Sequence, residues 1–303
     1  MSADNNSKET SEEKYCASCG IAELDEVHLK ECDGCDLVKY CSVTCQEDHR
    51  PEHEAQCKKR AAELRDESLF KQPESRHKGD CPICMIPLPL DEKKSFYSCC
   101  SKTVCDACQL ANTTRQWEEN MPSTCPFCRH PLPKTREEAE KMIMNRIAAN
   151  DPVAMTQLGF RHLNEGDYER AFKYLTKAAE LGNRSAHYNV SVIYGKGFGV
   201  EKDETKEVYH LEQAAIQGHP QARFKLGCHE VINGETERAV KHWIIAASLG
   251  EGNSINGLKE CYQAGDISKD DFAAALRAHH AAVEATKSPQ RDAAAKADRD
   301  QYV

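Results

Sequence analysis

The chain has 303 residues, a formal net charge of −9, 29% charged residues and 40% hydrophobic ones. At about 150 residues per domain the length predicts two domains, and the acidic balance argues against nucleic acid as a partner. No apolar run approaches the roughly 20 residues of a membrane span, and the opening MSADNNSKETSEEK has no signal-peptide core. Leu, Ile, Val and Phe number only 51, and only 19 of them fall in residues 1–135. Such a segment cannot offset its chain entropy by burial alone. Sulfur is the candidate cross-link, because 15 of the 17 cysteines lie between Cys16 and Cys128. With no export signal the thiols are expected to stay reduced, which favours metal over disulfides. A cytoplasmic or nuclear location follows as an expectation.

Residues 1–14 are polar and read as disordered. Residues 15–57 hold the first cluster: Cys16-x2-Cys19, twelve residues, Cys32-x2-Cys35, five residues, Cys41-x3-Cys45, seven residues, His53-x3-Cys57. Pairs at this spacing let two side chains of one turn reach one ion. Zinc takes four such ligands tetrahedrally, as four thiolates or as three with one imidazole. The order, with Tyr40 before Cys41 and Gln46 after Cys45, resembles the MYND zinc finger. The resemblance implies interleaved ligation, with Cys16, Cys19, Cys41 and Cys45 on one zinc and Cys32, Cys35, His53 and Cys57 on the other. His49 falls where the family does not ligate and reads as surface packing. The resemblance also implies a peptide ligand. Arg50 departs from it, standing where the family often has the Trp that borders a groove for proline-rich peptides.

Residues 58–80 are highly charged and predict a short helix running into a linker. The second cluster, within residues 81–133, runs Cys81-x2-Cys84, fourteen residues, Cys99-Cys100, four residues, Cys105-x2-Cys108, sixteen residues, Cys125-x2-Cys128. Eight thiols make two more tetrahedral sites. The spacing resembles a RING-type finger, another cross-braced fold. That implies Cys81, Cys84, Cys105 and Cys108 on one zinc, and Cys99, Cys100, Cys125 and Cys128 on the other. This chain departs from the family at Cys100, which directly follows Cys99; adjacent residues on one ion are geometrically tight. Ile83, Trp117 and Pro126 match the positions at which ubiquitin-ligase members dock the ubiquitin-conjugating enzyme. Arg129 matches a cation that bridges enzyme and ubiquitin there, a task that suits a forked guanidinium. The bland reading is that Ile83 and Trp117 pack a tiny core and Arg129 is solvated.

Thr135 and Glu138 have capping-box spacing and predict a linker helix within residues 134–150, opening at about 136. Asp151-Pro152 starts another helix, with Pro at its first position. A repeat begins there. Ala154, Ala186, Ala222 and Ser254 recur at intervals of 32, 36 and 32, each followed four residues later by Leu158, Val190, Leu226 or Leu258. The pairs Ala178-Ala179, Ala214-Ala215 and Ala246-Ala247 are followed by Gly182, Gly218 and Gly250, where a helix end favours a left-handed residue. Two helices per unit over residues 151–285 describe an α-solenoid of about four repeats. It resembles the Sel-one-like family, relatives of the tetratricopeptide repeat, which implies a protein-binding scaffold. Tyr168, Tyr188, Tyr209 and Trp243 read as inter-helix core, and Cys228 and Cys261 as buried thiols. Residues 286–303 read as a flexible tail.

The expected fold is therefore two small cross-braced zinc fingers followed by an all-α solenoid, with four zinc ions. No nucleophile elbow, phosphate loop or dinucleotide fingerprint is visible. Two functions compete. One is a RING-type ubiquitin ligase that positions a conjugating enzyme while the repeats and the MYND finger recruit substrate; the other is a non-catalytic adaptor.

Overall fold

A computed structural model describes residues 15–23, 27–74, 77–90 and 94–300; the expectation of disorder for residues 1–14 lies outside them. The chain divides into two compact units, Met1–Leu69 and Phe70–Val303. In the first, β1 (Lys30–Glu31) and β2 (Lys39–Tyr40) pair antiparallel, with Lys30 opposite Tyr40. Its buried cluster is Cys16, Leu29 and Tyr40, with Val27 and Val38 packed against it. Three side chains cannot hold a fold, so the convergent sulfur groups must. α1 spans Val43–Phe70, 28 residues with Pro51 inside it. This corrects the short helix expected after residue 57. His53 and Cys57 stand four apart, which is a helical spacing. The Ala, Glu, Lys, Arg and Leu that follow are strong helix formers, so the helix continues.

The second unit opens with β3 (Lys94–Tyr97) and β4 (Lys102–Cys105), antiparallel with Tyr97 opposite Lys102. α2 (Asp106–Glu118) follows directly. α3 (Arg136–Ala148) is capped as its sequence predicts: Thr135 Oγ1 accepts the Glu138 N–H at 3.2 Å. The return bond from Glu138 reaches one residue further out, to the Lys134 N–H at 2.7 Å.

Helix pairs then stack in order: α4 (Pro152–Glu165) with α5 (Tyr168–Glu180), α6 (Arg184–Lys196) with α7 (Glu204–Ile216), α8 (Pro220–Ile232) with α9 (Thr236–Ser248), and α10 (Asn253–Ala264) with α11 (Lys269–Glu284). The small residues that mark the repeat are fully buried: Ala154, Ala186, Ala222 and Ser254 all have no exposed surface. Each of their main-chain N–H groups donates to the side chain three residues earlier, on Asp151, Asn183, His219 and Glu251. Gly182, Gly218 and Gly250 adopt φ of +79°, +82° and +92° at the helix ends. Trp243 is core, its Nε1 donating to the Phe224 carbonyl at 3.1 Å. Tyr209 is not; it is 54% exposed, a correction of its assignment to the core. On α7 it falls outside the buried set of Leu211, Glu212, Ala214 and Ala215.

The tail is also corrected. α12 spans Pro289–Asp300 and packs on α2, with Ala294 against the cluster of Cys81, Val104, Cys105, Ala107 and Cys108. Ser288 caps it, accepting the Arg291 N–H at 3.2 Å, and Pro289 occupies the first turn. Alanines that looked too polar in company to order become a close-packing face once α2 is opposite them. Residues 301–303 lie outside the described residues. Within this unit Phe96 of β3 packs with Ile143, Ala154 and Leu158. The segment after α1 also lies on the repeats: the Lys71 carbonyl accepts from Arg223 at 3.2 Å and Gln72 Nε2 donates to Ser248 Oγ at 2.6 Å. No helix of the described residues is long and apolar enough to cross a membrane.

Candidate metal centres

Four groups of side chains converge, each with its ligand atoms within 4.8 Å of one another: Cys16, Cys19, Cys41, Cys45; Cys32, Cys35, His53, Cys57; Cys81, Cys84, Cys105, Cys108; and Cys99, Cys100, Cys125, Cys128. The sulfurs are unbridged. Representative separations are 3.5 Å for Cys19–Cys41, 3.7 Å for Cys32–Cys57, 3.9 Å for Cys84–Cys105 and 3.7 Å for Cys100–Cys125. Four sulfurs at 2.3 Å from a tetrahedral zinc would lie about 3.8 Å apart. The donor sets are therefore the right kind, number and size for zinc.

Electrostatics makes the same demand. Burial tends to raise Cys16, but the main-chain N–H groups of Cys19, Cys41 and Ser18 outweigh it and bring the thiol down to about 6. In the same group the thiols of Cys19 and Cys45 push Cys41 up to about 12. Cys32 is lowered, against its burial, by the N–H of Gly34 and by Cys57, while burial and Cys32 push Cys57 up to about 11. Cys81 falls to about 7 against its burial, through the N–H groups of Cys105, Cys84 and Ile83, whereas burial and Cys105 raise Cys108. Crowded sulfurs ionise one at a time unless a cation takes the charge.

The main chain builds three of these groups on one template. After Cys16-x2-Cys19, Cys81-x2-Cys84 and Cys125-x2-Cys128 the chain turns left-handed, at Gly20 (φ +73°), Met85 (φ +57°) and Arg129 (φ +57°). That residue's N–H returns to the first cysteine's carbonyl at 2.9, 2.8 and 3.0 Å. The first cysteine's N–H in turn reaches the carbonyl of Ile21, Ile86 or His130. Such a knuckle aims two sulfurs and several N–H groups at one point. The adjacent pair is placed differently. Residues 98–101 form the turn of the β3–β4 hairpin, closed by the Ser101 N–H on the Tyr97 carbonyl at 2.9 Å, with Ser101 at φ +56°. The turn presents both sulfurs, Cys99 to Cys128 at 3.4 Å and Cys100 to Cys125. The tightness expected of neighbouring ligands is absorbed by one left-handed serine.

Around the second group, His49 does not face the sulfurs. Its Nδ1 hydrogen-bonds the Tyr40 hydroxyl at 3.0 Å, and its ring stacks on His53 at 5.7 Å. A Cβ on Gly34 would sit 2.9 Å from Cys57 Sγ, so that position admits only glycine without a shift. Arg60 grips Asp36 with both Nε and Nη2, at 2.7 and 2.8 Å, and pins the loop beyond Cys35 to α1.

Residues 16–57 match the MYND finger family, and residues 152–183, 184–219 and 220–251 match the Sel1 repeat. The chain carries a MYND finger and a Sel1-repeat solenoid. DAP3-binding cell death enhancer 1 of Mus musculus is 26% identical over 196 residues, covering 52% of this chain and 38% of that protein. Its namesake in Rattus norvegicus is 36% identical over 169 residues, covering 43% and 33%. The chain thus spans between 33% and 38% of the length of these curated relatives. A Sel1 repeat protein from Oxalobacter formigenes, known from its crystal structure, has a TM-score of 0.44 at 22% identity, over 51% of this chain and 47% of that one.

Of the residues that sequence assigned to conjugating-enzyme contact, Ile83 is 43% exposed, between the first two sulfurs, and Trp117 is 83% exposed near the end of α2. Pro126 is half-buried inside the last knuckle and Arg129 is exposed after it. Arg50 of the MYND finger is exposed on α1. Tyr40–His49, Gly34 and Arg60 are supports that the sequence did not single out as such. Only the glycine between Cys32 and Cys35 offered a signal.

Proposed function

We propose that the second cysteine module of this zinc-binding, protein-interaction repeat protein is a RING-type finger that recruits a ubiquitin-conjugating enzyme, while the Sel1 repeats and the MYND finger hold the protein to be modified. The observation that carries this reading is Trp117. An indole left 83% exposed on α2 is not packing a tiny core, and a large bare aromatic is the sort of anchor that dominates small interfaces. Ile83 adds a second exposed apolar residue, and the interleaved order of the eight sulfurs supports the fold.

No covalent catalyst is needed in this scheme. The finger would hold the loaded enzyme and restrict its ubiquitin, so that attack by a substrate lysine becomes effectively intramolecular. The relatives' name describes binding to DAP3, which agrees with a chain that holds a protein partner. Discharge of ubiquitin from preloaded conjugating enzymes onto free lysine tests the proposal. Wild-type protein should accelerate discharge from at least one enzyme of a broad panel, and Trp117→Ala or Ile83→Ala should remove most of the effect with all four zincs retained. If no enzyme responds, the adaptor function stands instead.

A further inference from the structure

The guanidinium of Arg291, on α12, enters the knuckle that carries Cys81 and Cys84. Nη1 donates to the Pro87 and Thr286 carbonyls, both at 2.6 Å, and Nη2 donates to the Ile86 carbonyl at 3.0 Å and reaches Cys84 Sγ at 3.5 Å. The Ile86 carbonyl is the one that also receives the Cys81 N–H at 2.9 Å and so closes the knuckle. Three residues further along the helix, Ala294 packs on the cluster that contains Cys81, Cys105 and Cys108. One side chain therefore joins the sulfur, the carbonyl that shapes its loop, and the end of the preceding helix.

Zinc changes what Arg291 meets. Four thiolates around a dication leave a net negative charge on the site, and an arginine keeps its proton at any ordinary pH, so the loaded site attracts it. Linkage makes the effect reciprocal: whatever zinc adds to the hold on Arg291, Arg291 adds to the hold on zinc. We propose that Arg291 couples zinc in the Cys81, Cys84, Cys105, Cys108 site to the docking of α12, making the helix a clasp that closes only on a metal-filled finger. This inference rests on the zinc reading of that site. The Cys99, Cys100, Cys125, Cys128 group, which has the same kind of knuckle, is the internal control.

The test uses the full chain, zinc-loaded, as wild type, Arg291→Ala and Arg291→Lys. Each is challenged with a chelator while zinc release is followed by a colorimetric indicator, and freed thiols are alkylated and located by mass spectrometry. In Arg291→Ala one of the four zincs should leave at least tenfold faster, with Cys84 and Cys105 the thiols alkylated early and Cys99 and Cys100 unchanged. Arg291→Lys should fall between, since it keeps the charge and loses the fork. Hydrogen exchange at residues 289–297 should rise when that zinc is withdrawn from wild type. A wild-type protein that holds no zinc at Cys81–Cys108 defeats the site reading and the inference with it. Zinc bound there but released equally fast from wild type and Arg291→Ala defeats the inference alone.

Discussion

His49 and His53 stand four apart on one helix and stack on each other, yet only His53 meets sulfur. His53→Ala should cost one zinc, whereas His49→Ala should keep all four and lose about 1 kcal/mol with the Tyr40 hydrogen bond. Native mass spectrometry and a denaturation midpoint separate the two; a zinc lost from His49→Ala would refute the assignment. Arg129 offers a second single-residue test. Its φ of +57° is one that an L side chain adopts at a cost of roughly 1 kcal/mol, so Arg129→Gly should fold at least as stably as wild type. If the bridging role holds, that variant nonetheless slows ubiquitin discharge. Stability lost on the change to glycine would mean that the side chain is structural.

At the scale of helices, the repeat joins a left-handed glycine to a capping side chain at each turn into a new unit. An added Cβ at Gly182 meets nothing within 4 Å, while one at Gly257 would lie 2.8 Å from the Trp243 ring. Gly182→Ala should therefore cost only backbone strain, roughly 1–2 kcal/mol. Gly257→Ala should cost 1–3 kcal/mol through overpacking, and a smaller ring at position 243 should relieve it. Urea midpoints of the single and double variants decide it: additive losses would rule out the packing account. The Ala and Gly of each unit were legible in the sequence because their type repeats. The caps at Asn183, His219 and Glu251 were not, since the position repeats while the residue changes; only Asp151, marked by the Pro152 that follows it, was read as a helix start. α12 was illegible for another reason: Ala, Arg, Asp and Lys specify no core by themselves, and the face that orders them belongs to α2. Tyr209 misled in the opposite direction, as an aromatic that the fold leaves in water at a position where the neighbouring units carry Lys173 and Lys241. Which sulfurs meet could be read from cysteine order together with family likeness; the knuckle template behind them is a matter of main-chain hydrogen bonds, which spacing does not display.

Over the whole second unit, the cysteine module is part of the helical body rather than an arm beside it. Phe96 shares a cluster with Ile143, Ala154 and Leu158, and Gln72 and Lys71 lie against α9 and α8. Chelation should unfold the zinc-dependent segments yet leave most helical circular dichroism, with the melting midpoint of the repeats lowered. Losing the Phe96 packing at about 2–3 kcal/mol corresponds to roughly 5–10 °C. A midpoint that does not move would mean that the repeats are indifferent to the module. The bond from Arg291 to Pro87 closes over 204 residues of chain. A ribosome adding about 5–20 residues per second needs roughly 10–40 s to supply them. For the part of that interval after Cys128, 163 residues or roughly 8–33 s, the newborn module has all eight of its sulfurs and none of its clasp, and the zinc it first captures at Cys81 is held more loosely than it will be once α12 emerges.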